Sequence, residues 1–137
     1  MAETSLSHVV GANTPPLIEF TIGDALARAA RQWPDGLALI SVHQNIRWTY
    51  RELLERADRL AAGFLKLGVK PGDRIGIWSP NCAEWTLTQF AAARIGGILV
   101  TVNPAYRLSE VEYTLNKVGV KVLVAAELLA ALAKPNV

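Results

Sequence analysis

The sequence predicts an α/β fold, an incomplete doubly wound parallel sheet made of two β-α-β units. Three short runs rich in Ile, Leu and Val, at Arg74–Ser79, Gly97–Val102 and Lys121–Val124, lack strict polar alternation. Such runs are typical of strands that are covered on both faces. Two stretches with apolar residues at helical spacing separate them. Because parallel strands are joined by right-handed crossovers, we expect Arg74–Val124 to form one layered unit.

An extended arm and a first helix are predicted before this unit. Residues 1–20 contain Thr, Ser and Pro without an apolar period, and Pro15-Pro16 favours an extended backbone. Thr21, with Asp24 three residues later, forms a capping box that predicts a helix start. The apolar stripe of this helix is predicted to be Ile22, Ala25, Leu26, Ala29 and Trp33.

A short hairpin and a long helix are predicted next. Leu37–Val42 and Ile46–Trp48 have the composition of strands, and a polar turn of His, Gln and Asn separates them. Thr49 and Glu52 form a second capping box, which predicts a helix over roughly Tyr50–Leu67. The sequence therefore predicts a helix, a short hairpin and a long helix before the parallel sheet.

The two helices inside the sheet unit are also predicted to begin at capping pairs. Asn81 with Glu84 would cap the first helix, and Ser109 with Glu112 would cap the second. Glycines predict the ends of both helices, namely Gly96, Gly97 and Gly119.

Composition excludes several classes of protein. The chain has 137 residues, of which 51% are apolar and 19% charged, so a buried core is expected. The net charge is +2 and the basic residues are scattered, which argues against nucleic-acid binding. No apolar run approaches the length of a transmembrane segment. The single cysteine and the absence of a basic apolar leader favour a cytoplasmic location.

The residues with reactive side chains do not predict a catalytic centre. Cys82 lies at a predicted helix start, but His8 and His43 fall in an arm and a turn, with no reason to converge on it as a base. Glu84 and Glu112 already have predicted capping roles. No group of residues has metal-ligand spacing, and neither G-x-G-x-x-G nor a P-loop is present. We therefore predict no catalytic residue and no metal site in this chain.

One loop has the composition of a ligand-binding segment. It runs from Asn103 to Arg107 and follows the second parallel strand at its carboxyl end, where open α/β sheets bind their ligands. Tyr106 offers a ring for stacking, and Arg107 offers a cation for anionic groups. A rigid connection, with Pro104 fixing the turn and Tyr106 packed beneath it, remains the alternative.

Several motifs together resemble a known family. WTYRELLERADRLAAGFLKLGVKPGDRIGIWSPNCAEW (Trp48–Trp85) and ARIGGILVTVNPAYRLSEVEY (Ala93–Tyr113) contain five of them in order. They resemble the N-terminal part of AMP-forming acyl-CoA synthetases, the fatty-acid–CoA ligases of the adenylate-forming superfamily. The similarity covers about Thr21–Val124, and the Asn-Pro-x-Tyr motif is typical of fatty-acyl-CoA ligases.

The resemblance implies a two-step reaction that uses ATP, Mg²⁺ and CoA. A carboxylic acid, here expected to be a fatty acid, forms an acyl-adenylate and is then transferred to CoA. The later motifs of the family, among them its phosphate loop and its catalytic Lys, do not occur in this sequence. Residues 21–137 are accordingly expected to be the N-terminal portion of a truncated synthetase domain, inactive alone. The resemblance places Asn103, Tyr106 and Arg107 on the CoA side.

Two other hypotheses remain open at this stage. The chain could be a non-catalytic α/β module that binds CoA or a nucleotide, or an interaction domain that docks on full-length ligases. The abrupt end after Pro135-Asn136-Val137 favours the fragment hypothesis. Because the family packs this layer against further layers, exposed apolar surfaces and sheet edges are expected to promote self-association.

Overall fold

The computed structural model describes residues 11–12 and 14–126, and these follow the predicted α/β order. Residues 11–12 and 14–20 of the predicted arm are exposed and belong to no helix or strand, while His8 lies outside the described residues. The elements are α1 (Ile22–Gln32), β1 (Leu37–Ser41), β2 (Ile46–Thr49), α2 (Tyr50–Lys66), β3 (Arg74–Trp78), α3 (Ala83–Arg94), β4 (Ile98–Val102), α4 (Leu108–Val118) and β5 (Val120–Ala125).

The last three strands form a parallel sheet in the order β4-β3-β5. On one face of β3, Ile75 packs in a buried cluster with Ala91 and Ala92 of α3. On the other face, Trp78 packs with Val111 of α4. The two helices therefore cover opposite faces of the sheet, and the doubly wound architecture is confirmed.

The main core lies between the sheet and the long helix α2. Phe64 of α2 is only 3% exposed and belongs to the same buried cluster as Ile75. A second cluster joins α2 to α1 through Leu53, Ala57 and Leu26. Burial of these side chains is the main favourable contribution to folding. The hairpin of β1 and β2 is antiparallel, as predicted.

The predicted capping box of Thr49 and Glu52 is confirmed, and Thr21 caps α1 as predicted but without the return bond from its backbone N–H to Asp24. The Thr21 hydroxyl accepts a hydrogen bond from the Asp24 backbone N–H at 3.0 Å and donates one to its carboxylate at 2.7 Å. At the start of α2, the Thr49 hydroxyl accepts from the Glu52 N–H, and the Glu52 carboxylate accepts from the Thr49 N–H. The Thr21 cap thus satisfies one backbone N–H that has no partner inside its helix, and the Thr49 box satisfies two.

The predicted apolar stripe of α1 is correct at its centre, where Leu26 is buried, and wrong at both ends. Ile22 and Trp33 are 59% and 54% exposed, whereas Gly23, Ala27 and Ala30 are buried together with Leu26. The reason is a close approach of backbones, since a Cβ at Gly23 would lie 3.0 Å from the Ala93 carbonyl oxygen of α3. Gly23 therefore faces α3, Leu26 stays buried in the core, and the apolar residues at the two ends, Ile22 and Trp33, are exposed.

Candidate functional site

An open cleft lies at the carboxyl ends of β3 and β4 and has a volume of about 560 Å³. Open α/β sheets bind their ligands beyond this edge of the sheet. Its walls are the last two residues of β4, the segments that follow β3 and β4, and one residue of the first turn of α3. The lining residues are Ser79, Pro80, Asn81, Trp85, Thr101, Val102, Asn103, Pro104 and Tyr106.

The wall after β4 is a hydrogen-bonded turn built on Asn103. The Asn103 side-chain oxygen accepts from the Ala105 N–H at 2.9 Å. Its backbone carbonyl accepts from the Tyr106 N–H at 3.0 Å and from the Trp78 indole at 3.1 Å. Asn103 thus shapes the turn and attaches it to the buried end of β3. This agrees with the rigid connection considered as an alternative, although the turn still faces the cleft.

Tyr106 and Arg107 occupy different positions on this wall. Tyr106 lines the cleft, is 38% exposed, and also borders a neighbouring hollow formed with Ser109 and Tyr113. Arg107 is exposed at the residue that precedes α4 and does not line the cleft. Its guanidinium makes no hydrogen bond or ion pair within residues 11–12 and 14–126. The structure therefore brings Asn103 and Tyr106 together in the cleft and leaves Arg107 outside it.

The predicted capping pair of α4, Ser109 with Glu112, is wrong. The helix begins at Leu108, and the Glu110 carboxylate accepts a hydrogen bond from the Arg107 backbone N–H at 2.8 Å. Because Glu110 is three residues after Arg107, it makes the return bond of a capping box without a Ser or Thr at the first position. The Arg107 side chain is consequently not used in capping.

The opposite wall of the cleft, Ser79 to Cys82, is held by short local contacts. Ser79 is buried, and its hydroxyl donates to the Pro80 carbonyl at 2.9 Å. The same hydroxyl lies 3.4 Å from the Cys82 sulfur. This wall was not identified as a candidate site from the sequence, because its turn lacks the glycines of a phosphate-binding loop. Its position after β3 was the signal that could have indicated it.

The predicted capping of α3 by Asn81 and Glu84 is also wrong. Cys82 precedes the helix and makes no capping bond with its side chain. Instead, Gln44 from the hairpin turn accepts from the Ala83 N–H at 2.7 Å through Oε1 and donates to the Glu84 carboxylate at 2.7 Å through Nε2. A residue distant in the sequence therefore supplies the cap.

Glu84 is an ionised partner in this cap. The hydrogen bond from Gln44 holds the pKa of Glu84 below its usual value of 4.5, against the opposing effect of partial burial. Its own backbone N–H, Cys82 and His43 act in the same direction as Gln44. A carboxylate that accepts hydrogen bonds at a helix N-terminus is a favourable arrangement.

The expectation that His43 has no reason to lie near Cys82 is wrong. Both residues line a pocket of about 230 Å³ between the hairpin and the start of α3. The physical reason is that the hairpin turn docks on α3 through Gln44. Each side chain is nevertheless paired within its own segment, since His43 Nδ1 lies 3.4 Å from the Ser41 hydroxyl and Cys82 lies beside Ser79.

Two further features concern metals and membranes. Within residues 11–12 and 14–126, no group of three His, Cys, Asp or Glu side chains is arranged to hold a metal ion. Over the same residues, no helix combines the length and apolar character that crossing a membrane requires.

A comparison with models of protein families matches residues 26–137 to the family described as AMP-binding enzyme. Among curated proteins, the medium-chain acyl-CoA ligase ACSF2, mitochondrial, of Rattus norvegicus is 45% identical over 119 residues, which are 87% of this chain and 19% of the rat protein. The acyl-CoA ligase sidI of Aspergillus fumigatus is 41% identical over 118 residues, 86% of this chain and 20% of that protein. The chain spans about a fifth of the length of these relatives.

Solved structures share the fold. The N-terminal domain of FACL13 from Mycobacterium tuberculosis superposes with a TM-score of 0.80 at 28% identity, covering 83% of this chain and 29% of that chain. A fatty acyl CoA synthetase from the same organism gives a TM-score of 0.79 at 28% identity, covering 82% of this chain and 22% of that chain.

Proposed function

Because this chain belongs to the AMP-binding enzyme family, we propose that it is part of an AMP-forming acyl-CoA synthetase that joins a fatty acid, or another carboxylic acid, to CoA. The observation that carries this proposal is the 45% identity with an acyl-CoA ligase over 119 residues. The agreement of the fold with N-terminal domains of related enzymes supports the assignment of this piece to the N-terminal part.

The proposed reaction has two steps. A carboxylate oxygen of the acid bonds to the α-phosphorus of ATP, and the bond to the leaving pyrophosphate breaks. The CoA sulfur then bonds to the acyl carbon, the bond to the AMP oxygen breaks, and the thiol proton is released. Both steps develop charge that positioned cations and hydrogen-bond donors must stabilise.

The cleft and the exposed residue beside it, Arg107, have groups that fit the nucleotide part of CoA. The exposed Tyr106 ring, which lines the cleft, could stack on an adenine. The exposed Arg107 guanidinium, which has no partner among the described residues, could pair with phosphate oxygens. Asn103 would hold the turn that carries both residues. In this proposal the three residues bind and orient CoA, and none of them takes part in bond making.

The residues around the cleft do not fit a Mg²⁺ site. Mg²⁺ supplies charge balance to the phosphates and prefers carboxylate and water ligands. The nearby carboxylates of Glu84 and Glu110 are already hydrogen-bonded to Gln44 and to the Arg107 N–H. We therefore assign the metal, and with it the adenylation step, to the remainder of the enzyme. This chain alone is expected to be inactive.

Self-association of the isolated chain is also proposed. Ile98 and Leu123, on the outer strands β4 and β5, are 47% and 36% exposed, and Tyr113 of α4 is 62% exposed. Each outer strand has only β3 as a neighbour, so each presents an unpaired edge within the described residues. A clean monomer with a sharp two-state melt would contradict this proposal.

The cytoplasmic location stays a prediction. It rests on the single cysteine and on the composition of the first residues, whereas the similar rat ligase is named as a mitochondrial protein. Fractionation of cells with detection of this polypeptide would distinguish the two compartments.

The size of the native polypeptide tests the proposed function. An antibody against this region should detect a band several times larger than 14.9 kDa, and the purified polypeptide should release pyrophosphate only when a fatty acid is present. A band at the size of this chain, without pyrophosphate release, would contradict the proposal. The hypotheses of a CoA-binding module and of a domain that docks on a ligase would then remain.

A further inference from the structure

Gln44 connects two parts of the fold that are far apart in the sequence. It belongs to the turn between β1 and β2, and its side chain reaches Ala83, 39 residues later, at the start of α3. Both ends of its amide are used, since Oε1 accepts from the Ala83 N–H and Nε2 donates to Glu84, each at 2.7 Å. Oε1 also accepts from the Ser41 hydroxyl at 2.7 Å, which fixes the orientation of the amide.

Ala83 and Glu84, the two residues bonded to Gln44, are flanked in the sequence by residues that line the cleft. Asn81 lines the cleft two positions before Ala83, and Trp85 lines it directly after Glu84. A displacement of the first turn of α3 therefore moves both of these lining residues.

Among residues 11–12 and 14–126, the other side-chain hydrogen bonds of this wall are internal to it. The Cys82 side chain makes no capping bond to α3. The Ser79 hydroxyl donates to the Pro80 carbonyl and lies 3.4 Å from the Cys82 sulfur, and both partners belong to its own loop. Packing against α1 and α2 holds the body of α3, and the described hydrogen bonds that join its first turn to the hairpin are those of Gln44.

We propose that Gln44 is a positioning residue of the cleft. It fixes the first turn of α3 and thereby sets the positions of Asn81 and Trp85 for the ligand. Its effect on CoA affinity rests on the proposed function, but its effect on the cleft wall does not. The hairpin, which lines no part of the cleft, would in this way influence ligand binding.

The first test replaces Gln44 in the whole 137-residue chain. Gln44→Ala is expected to shift the NMR signals of the Asn81 amide and the Trp85 indole and to weaken CoA binding about fivefold, the factor that corresponds to one ordinary hydrogen bond. Gln32→Ala, at an exposed position of α1, is the matched control and should change neither quantity.

A charge exchange separates positioning from a general loss of stability. In Gln44→Glu, the new carboxylate still accepts from Ala83 but faces the Glu84 carboxylate, and like charges in contact repel. When Glu84→Gln is added, the amide at position 84 donates to the carboxylate at position 44. The hydrogen bond is thus restored with its direction reversed. The double variant should regain the wild-type signals of Asn81 and Trp85 and most of the CoA affinity.

The outcomes distinguish this inference from the proposed function. Unchanged Asn81 and Trp85 signals in folded Gln44→Ala, or a double variant no better than Gln44→Glu, would overturn the positioning role. Shifted signals that the double variant restores support it even if wild-type protein fails to bind CoA. Failure of the wild-type protein to bind CoA would instead contradict the proposed role of the cleft.

Discussion

Replacing Gly23 by alanine should destabilise the protein, although alanine is the better helix former. Gly23 lies in the first turn of α1, where this helix meets the end of α3. An added Cβ would lie 3.0 Å from the Ala93 carbonyl oxygen, 3.2 Å from its carbonyl carbon and 3.2 Å from the Arg94 Cα. All three are backbone atoms of α3, so no side-chain rotation can relieve the contact.

The magnitude follows from two opposing effects. Overpacking of a well-packed contact typically costs about 1–3 kcal/mol. The gain in helix propensity from glycine to alanine is at most about 1 kcal/mol. We therefore expect the free energy of unfolding to fall by about 1–2 kcal/mol. Gly63→Ala in α2 is the matched control, because its Cβ would meet no atom within 4 Å. That variant should be more stable than the wild type by about 0.5–1 kcal/mol.

Urea unfolding at low protein concentration, followed by circular dichroism, measures both effects. With a urea dependence of about 1–3 kcal/mol/M, the midpoint of Gly23→Ala should fall by roughly 0.5–1 M while that of Gly63→Ala rises. If both variants gain stability, α1 does not approach α3 as closely as the structure shows. The reasoning about the buried face of α1 would then be refuted.

Three further variants test the core and the caps. Thr49→Ala should lower the free energy of unfolding by about 1 kcal/mol because it removes the capping box with Glu52, whereas Thr49→Ser should retain stability in the same titration. Phe64→Ala should cost about 3–5 kcal/mol, and a cooperative transition of nearly wild-type midpoint would argue against its place in the core. The pKa of Glu84 is lowered on folding, so its stabilising effect is present above its usual value of 4.5 and is lost as the pH falls through the folded-state pKa. The stability advantage of the wild type over Glu84→Gln should thus shrink on acidification, and a difference that grows instead would show that Gln44 does not favour the ionised carboxylate.

The parts of the fold that could be predicted depend on short sequence patterns. The box of Thr49 and Glu52 uses residues three positions apart, so the sequence alone contains both partners. The predicted strand Arg74–Ser79 is one residue longer than the observed β3. A continuous apolar run indicates that a buried strand is present, but it does not define the residue at which the strand ends.

The parts that could not be predicted depend on contacts between distant residues. Gln44 and Ala83 are 39 positions apart, and nothing in either neighbourhood indicates the pairing. Asn81 is a residue type that commonly caps helices, but the Ala83 N–H already donates to Gln44. The place of Gly23 in the buried face of α1 was missed for a similar reason, since the absence of a side chain there matters only once α3 lies against it.

The candidate site was predicted in part. The position of Asn103 and Tyr106 at the carboxyl edge of the sheet follows from strand order along the chain, and both line the cleft. The opposite wall, with Ser79 and Trp85, was missed because its turn has no recognisable phosphate-binding motif. Whether Arg107 contacts a ligand stays a prediction, since its residue lies outside the cleft.

Titration of the 137-residue chain with CoA tests the role of the cleft most directly. We predict saturable changes in the NMR signals of Tyr106 and Arg107, with affinity reduced about tenfold in Tyr106→Ala, the effect of losing one stacked base. Tyr113→Ala is the matched control because Tyr113 is exposed on α4 and does not line the cleft. Absence of saturable binding, or an equal loss of affinity in the Tyr113 control, would contradict the assignment of this cleft to CoA.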